Sequence, residues 1–156
     1  MLIIGVDPGL SGGVAIGVGV FPMPTVGETK KQVCPITLAF KIRQLEDKAK
    51  DKGGVVYIEK VGARPGQGVT SMYNFGYGCG TIYGVFATLG YIVRFVTPQK
   101  WKKAVLGDAF PHDKDGAVAF CRVHYPNTEL ILPRCRTPHD GIADAVCIRE
   151  YGLLNE

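Results

Sequence analysis

Two short apolar runs, each ending on an acid, constrain this chain more than any other feature. They are Leu2-Ile3-Ile4-Gly5-Val6-Asp7 and Val55-Val56-Tyr57-Ile58-Glu59. Neither alternates apolar with polar residues, so neither suits a sheet with one wet face. Both read as strands, and the continuous apolar character of Val55 to Glu59 suits a central buried one. The acid closing each run then stands at a strand tip, a common place for a ligand site in open α/β sheets.

The segments between the runs fit the same layout. Pro8-Gly9 is a turn signal, and Gly12 to Val20 reads as a second strand returning as a hairpin. Phe21 to Val33 is broken by Pro and Gly and reads as a loop with a weak third strand. Ile36 to Lys50 has helical spacing, with Ile36, Phe40, Leu45 and Ala49 apolar and Lys41, Arg43, Glu46, Asp47, Lys48 and Lys50 solvated; Gly53-Gly54 ends it. After Glu59 comes a loop to Gly68, a helix from Thr70 to Leu89 closed by Gly90, and a strand from Tyr91 to Val96. Thr97-Pro98 is an N-cap with Pro at the first helical position, opening a helix through Trp101. Asp113 to His124 is a further helix, and Thr137-Pro138 opens the last one, with Asp140 in its first turn where a carboxylate suits the helix dipole. Strands and helices in this order predict an α/β domain with a mixed sheet flanked by helices. The 156 residues fill one domain, 1–156, and show no internal repeat.

Composition narrows the setting. Five Cys, an odd number with no CxxC pair, read as reduced thiols of a cytoplasmic protein rather than as a disulfide framework. The N-terminus lacks the basic start and long apolar core of a signal peptide. Pro65 to Val93 carries no charge, but its many Gly and polar residues suit a buried helix better than a membrane span. Gly76, Gly80 and Gly84 make one smooth helix face, for tight packing on the sheet or for a dimer seam.

The last helix bears Asp140 and Asp144, four apart and so on one face. Asp144 lies among Gly141, Ile142, Ala143, Ala145 and Val146, an apolar setting in which an acid is poor surface decoration. Singly, Asp7 reads as a turn acid, Glu59 as a strand-end ion pair and Asp140 as a helix cap. Together, four carboxylates in one place repel one another unless they bind metal. Hard divalent ions such as Mg²⁺, with Mn²⁺ able to substitute, fit oxygen ligands. Two such ions would activate a water and stabilise the leaving oxygen of a phosphodiester.

These residues carry a resemblance. Ile3-Ile4-Gly5-Val6-Asp7-Pro8-Gly9 with Ser11-Gly12-Gly13-Val14-Ala15, then Val55 to Glu59, then His139-Asp140-Gly141-Ile142-Ala143-Asp144-Ala145, resemble in order the RuvC-like endonucleases of the ribonuclease H-like superfamily. The resemblance implies a ribonuclease H-like fold and a metal-dependent endonuclease acting as a homodimer. Its substrate would be branched DNA: four-way (Holliday) junctions, with flaps or forks as further candidates. Cleavage would leave a 5′-phosphate and a 3′-hydroxyl. Asp7, Glu59, Asp140 and Asp144 would be the catalytic metal ligands, with His139 in reserve. The basic segment Lys100-Trp101-Lys102-Lys103 is similar to the family's phosphate-contacting stretch, with Lys102 the best match and Lys114 similar to a second lysine. Arg64, in the loop after Glu59, is a further candidate phosphate contact. Trp101 reads as a packing residue rather than a base stacker, and Lys100 and Lys103 read equally well as a solvated helix face. Gly141 stands where many bacterial members carry a ligand, so the last two acids are four apart rather than three.

Several rivals share parts of this pattern. Cys121-x2-His124 and Cys135-x3-His139 have zinc-like spacing, weighed against unliganded thiols. An actin-like or sugar-kinase-like ATPase opens on a similar Asp-Gly turn, but it needs a second lobe and a nucleotide cofactor. A catalytically silent nucleic-acid-binding module, or an RNA-directed relative, would share the fold. The formal net charge is only +4. With four of the 14 acids assigned to one cluster, the rest of the chain is more basic than that figure.

Overall fold

The two apolar runs feed both faces of one sheet. The computed structural model describes residues 1–63 and 65–156. β1 (Leu2–Asp7) pairs in parallel with β6 (Gly54–Glu59), and β6 in parallel with β7 (Ile92–Val96). On the other side β1 pairs antiparallel with β2 (Gly13–Ile16), and β2 with β3 (Gly19–Pro22). The sheet order is β3-β2-β1-β6-β7, so both acid-tipped strands are central. Alternate side chains divide between two apolar layers. Ile4, Val6, Val56 and Ile58 face one, while Ile3, Val55 and Tyr57 face the other.

The first layer is covered by α1 (Pro35–Ala49) and α2 (Val69–Thr88). The second is covered by α3 (Pro98–Val105), α4 (Lys114–His124) and α5 (Asp140–Asn155). α5 lies deepest, with Ile142, Ala143, Ala145, Val146, Cys147 and Ile148 all buried. A side hairpin, β4 (Thr25–Val26) with β5 (Gln32–Val33), stands apart from the main sheet.

The expected elements are present, with several corrections. Gly12 to Val20 is two strands, split by a turn at Gly17-Val18, and both join the main sheet. α1 ends at Lys50, which takes the left-handed conformation itself, three residues before Gly53. α1 buries Leu38, Ile42 and Glu46, whereas Ile36 and Phe40 are exposed. Leu38 and Ile42 each contribute roughly 1.5–3 kcal/mol by burial. Glu46 is therefore not solvated. It accepts hydrogen bonds from Arg43 (2.8 Å), from the Tyr91 hydroxyl (2.9 Å) and from the Gly53 amide (3.3 Å). Burial alone would raise its pKa, but those donors outweigh it and hold the carboxyl below its ordinary value.

Local geometry excludes one of the two alternatives for the α2 glycines and one expected helix start. A Cβ at Gly76, Gly80 or Gly84 would meet nothing within 4 Å, so this face of α2 does not pack on the sheet. The face that packs carries Gly78, Ile82 and Phe86. Thr137-Pro138 does not open the last helix. His139 caps it instead, its Nδ1 accepting from the Ile142 amide at 3.1 Å, and Asp140 is the first helical residue. Thr97 does cap α3, accepting from the Lys100 amide, and Asp113 caps α4, accepting from Asp115 and Gly116.

Candidate active site

The parallel pairing of β1 and β6 brings their C-terminal ends side by side, and with them Asp7 and Glu59. α5 begins against that same edge. Gly12 and Gly141 form an isolated parallel bridge. A Cβ on Gly141 would overlap the Ser11 carbonyl oxygen and the Gly12 Cα, and one on Gly12 would overlap the Asp7 carbonyl. One turn on, a Cβ on Gly5 would overlap the Ala145 carbonyl. Glycine on both partners lets the start of α5 lie directly on the β1–β2 turn. The acids of its first two turns, Asp140 and Asp144, are thereby delivered to the strand tips. The same crowding explains why position 141 carries no acid: there is no room for any side chain.

All four carboxylates are half-buried. Their electrostatics show that they share one neighbourhood. Asp7 is pushed up to about 6, first by burial and then by Glu59 and Asp140, against the opposing effect of the Gly9 amide, which donates to its Oδ1 at 3.2 Å. Asp144 is pushed up to about 7, again first by burial, then by Asp7, Glu59 and Asp140; Lys102 opposes the rise. Asp140 Oδ1 accepts from the Gly141 amide at 3.0 Å. The fourth member, Glu59, accepts from the indole N–H of Trp101, at 2.7 Å from Oε2. Trp101 is fully buried, as a packing residue should be, but this bond to Glu59 was not legible in the sequence. The available signal was only a lone Trp inside a lysine-rich segment.

The donor set is one that hard divalent ions favour, carboxylate oxygens held in partial burial. Among the described residues, Asp7, Glu59 and Asp140 each accept a hydrogen bond on one carboxylate oxygen. Among the described residues, however, no three His, Cys, Asp or Glu side chains converge closely enough to hold an ion as they stand. Four mutually repelling carboxylates have no reason to close up without a cation between them. His139 is committed elsewhere. Its Nδ1 accepts from the Ile142 amide, so that nitrogen serves the helix cap.

The predicted basic residues separate. Lys102 is close enough to Asp144 to favour its ionised form, and its Nζ donates to the His112 carbonyl at 3.2 Å. Lys100 instead lies 5.9 Å over the Tyr151 ring, further along α5. Lys103 and Lys114 are exposed, and Arg64 lies outside the described residues. The zinc spacing does not assemble. The Cys121 thiol is buried toward the Ala143 carbonyl, Cys135 is exposed, and the His124 ring packs on Phe120.

Two cavities flank the domain. One of about 700 Å³ lies between the β2–β3 turn, the Tyr125–Glu129 stretch and Arg149, and contains none of the four carboxylates. Another, of about 570 Å³, runs between the side hairpin and α2. It is lined by Leu10 of the Asp7–Gly13 turn, Lys30, Lys31, Asn74 and Tyr77.

A mixed sheet of order β3-β2-β1-β6-β7 between two helical layers, with its last helix laid across the central strands, is the ribonuclease H-like fold. Among solved structures, the chain is similar to RuvC. The Thermus thermophilus RuvC structure aligns at a TM-score of 0.56 and 17% identity, covering 99% of this chain and 97% of that one. T. thermophilus RuvC in complex with Holliday junction substrate aligns at a TM-score of 0.59 and 16% identity, covering 99% and 96%. The yeast mitochondrial Holliday junction resolvase Ydc2 aligns at 0.44 and 10% identity, covering 94% and 75%. No family model and no curated protein sequence matches the chain.

Proposed function

We propose that this chain is a metal-dependent endonuclease of branched DNA, a Holliday junction resolvase, acting as one nuclease domain over residues 1–156. The observation that carries the reading is the meeting of Asp7, Glu59, Asp140 and Asp144 at one edge of a RuvC-type fold, where burial and mutual repulsion raise Asp7 and Asp144. Asp7, Glu59, Asp140 and Asp144 would hold two Mg²⁺ ions, or Mn²⁺ in their place. Bound there, such ions activate a water for attack on phosphorus and stabilise the leaving oxygen, giving 5′-phosphate and 3′-hydroxyl ends.

The chain's own groups supply the rest. Lys102, beside Asp144, offers its ammonium to a backbone phosphate next to the scissile bond. Lys103 and Lys114, both exposed, extend that contact, and Lys100 and Arg64 are further phosphate candidates. The groove bearing Lys30, Lys31 and Tyr77 opens beside the Asp7–Gly13 turn and has the mixed basic and aromatic character that suits a nucleic-acid strand. Two sites cutting opposite arms of a junction call for a homodimer. The outward face of α2, with Gly76 and Gly80 beside exposed Tyr73, offers a smooth surface for a second copy. The free thiols suit a cytoplasmic setting.

The test compares wild type with Asp7→Asn on four-way junctions, flaps, duplex DNA and RNA in Mg²⁺. Cutting of junctions by wild type alone supports the reading. Equal cutting of flaps demotes junction selectivity but keeps the chemistry. Cleavage of RNA alone moves the protein to an RNA-directed role, and no cleavage of any substrate leaves a silent binding module.

A further inference from the structure

Glu59 is the one member of the carboxylate cluster whose described hydrogen bond comes from a side chain on another element. Asp7 and Asp140 accept from amides one or two residues away, bonds that any turn or helix start provides. Glu59 accepts from Trp101, 42 residues on, at 2.7 Å. Trp101 is fully buried in the α3–α4–α5 layer, so its ring has no freedom to follow a moving carboxylate. An indole N–H is a donor only, with no lone pair for a metal. A rigid donor on Oε2 restrains rotation of the carboxylate and leaves its remaining lone pairs for a cation. The next residue, Lys102, lies 5.4 Å over the same ring.

We infer that Trp101 is the positioning residue for Glu59, orienting it as a metal ligand through the Nε1–H to Oε2 bond. The inference rests on the metal-site reading above and adds to it the outer partner that makes Glu59 competent. Outer partners of this kind typically change metal affinity or activity by about 10–100-fold when removed. Trp101→Phe keeps the aromatic packing and deletes only the donor.

Trp101 is the single Trp of the chain, so its indole N–H gives one resonance in an amide-correlation spectrum and needs no assignment by elimination. In the wild-type protein that resonance is expected downfield, as for a charge-assisted hydrogen bond. It should move upfield in Glu59→Ala, and shift saturably as Mg²⁺ is added. By calorimetry with Mn²⁺, Trp101→Phe should bind about tenfold more weakly than wild type, while its affinity for a four-way junction in EDTA stays within twofold. Mn²⁺ affinity of a folded Trp101→Phe within twofold of wild type would overturn the inference and leave the metal site standing. Should that variant not fold, the wild-type resonance decides: no response to Glu59→Ala or to saturating Mg²⁺ overturns it equally. Failure of wild type itself to bind Mn²⁺ overturns both the metal site and the role of Trp101.

Discussion

Replacing Asp144 with Asn should make the metal-free protein more stable at pH 8 and change little at pH 4. Asp144 is raised from 3.8 to about 7 in the folded chain, by burial first and then by Asp7, Glu59 and Asp140. Between those values the folded state keeps a proton that the unfolded chain has released. Stability therefore falls as pH rises through that window; it is fully present below about pH 4 and lost above about pH 7. At about 1.4 kcal/mol per unit, the ceiling on the cost at pH 8 is on the order of 4 kcal/mol. The amide of Asn must still be partly buried, and the nearby Lys102 loses an anion, so about half of that should be recovered, roughly 2 kcal/mol. For a chain of this size that is a rise in Tm of about 4–8 °C. Thermal unfolding in EDTA at pH 4 and pH 8 measures it. With saturating Mg²⁺ the order should reverse, because wild type gains more binding energy from the ions than a variant that lacks one ligand. An equal effect of Asp144→Asn at both pH values, or a loss of stability at pH 8, would refute the claim that burial and the neighbouring carboxylates together hold Asp144 above its ordinary range.

Other expectations follow from single contacts. Gly141→Ala should cost at least about 2 kcal/mol in chemical denaturation, because its Cβ overlaps backbone of Ser11 and Gly12 that cannot step aside. A variant of near wild-type stability would show that α5 does not sit as closely on the turn as described. Glu46→Ala should cost on the order of 2–3 kcal/mol, since it strands the Tyr91 hydroxyl and the Gly53 amide. Urea unfolding within 0.5 kcal/mol of wild type would contradict that. Lys102→Ala should weaken four-way junction binding and reduce the slope of log affinity against log salt by about one contact. An unchanged slope removes Lys102 from the phosphate contacts.

Much of this fold was legible because its signals are local. The unbroken apolar runs of β1 and β6 read as strands, and Thr97 and Asp113 cap helices by bonds to residues two or three positions on. What was not legible depends on partners distant in sequence. Glu46 reads as one more charge on a charged helix until Tyr91 and Gly53 arrive from elsewhere. The apolar stripe of Ile36 and Phe40 has the right period but points away from the sheet. Gly76, Gly80 and Gly84 have the spacing of a packing face, yet α2 packs through Gly78, Ile82 and Phe86. At the site, the four acids could be named from their strand and helix positions. Two facts could not be. One is that His139, not Thr137, starts the helix, which makes the imidazole a cap. The other is that Trp101 reaches Glu59.

The central claim is that four carboxylates from β1, β6 and α5 form one site for divalent ions. The most direct measurement counts Mn²⁺ bound per chain at equilibrium, near neutral pH, for wild type, Asp7→Asn and Asp140→Asn. Two ions per wild-type chain are expected, with at least one lost in each variant while the variant stays folded. Wild type binding no Mn²⁺ at millimolar concentration, or Asp7→Asn binding as many ions as wild type with unchanged affinity, would contradict it.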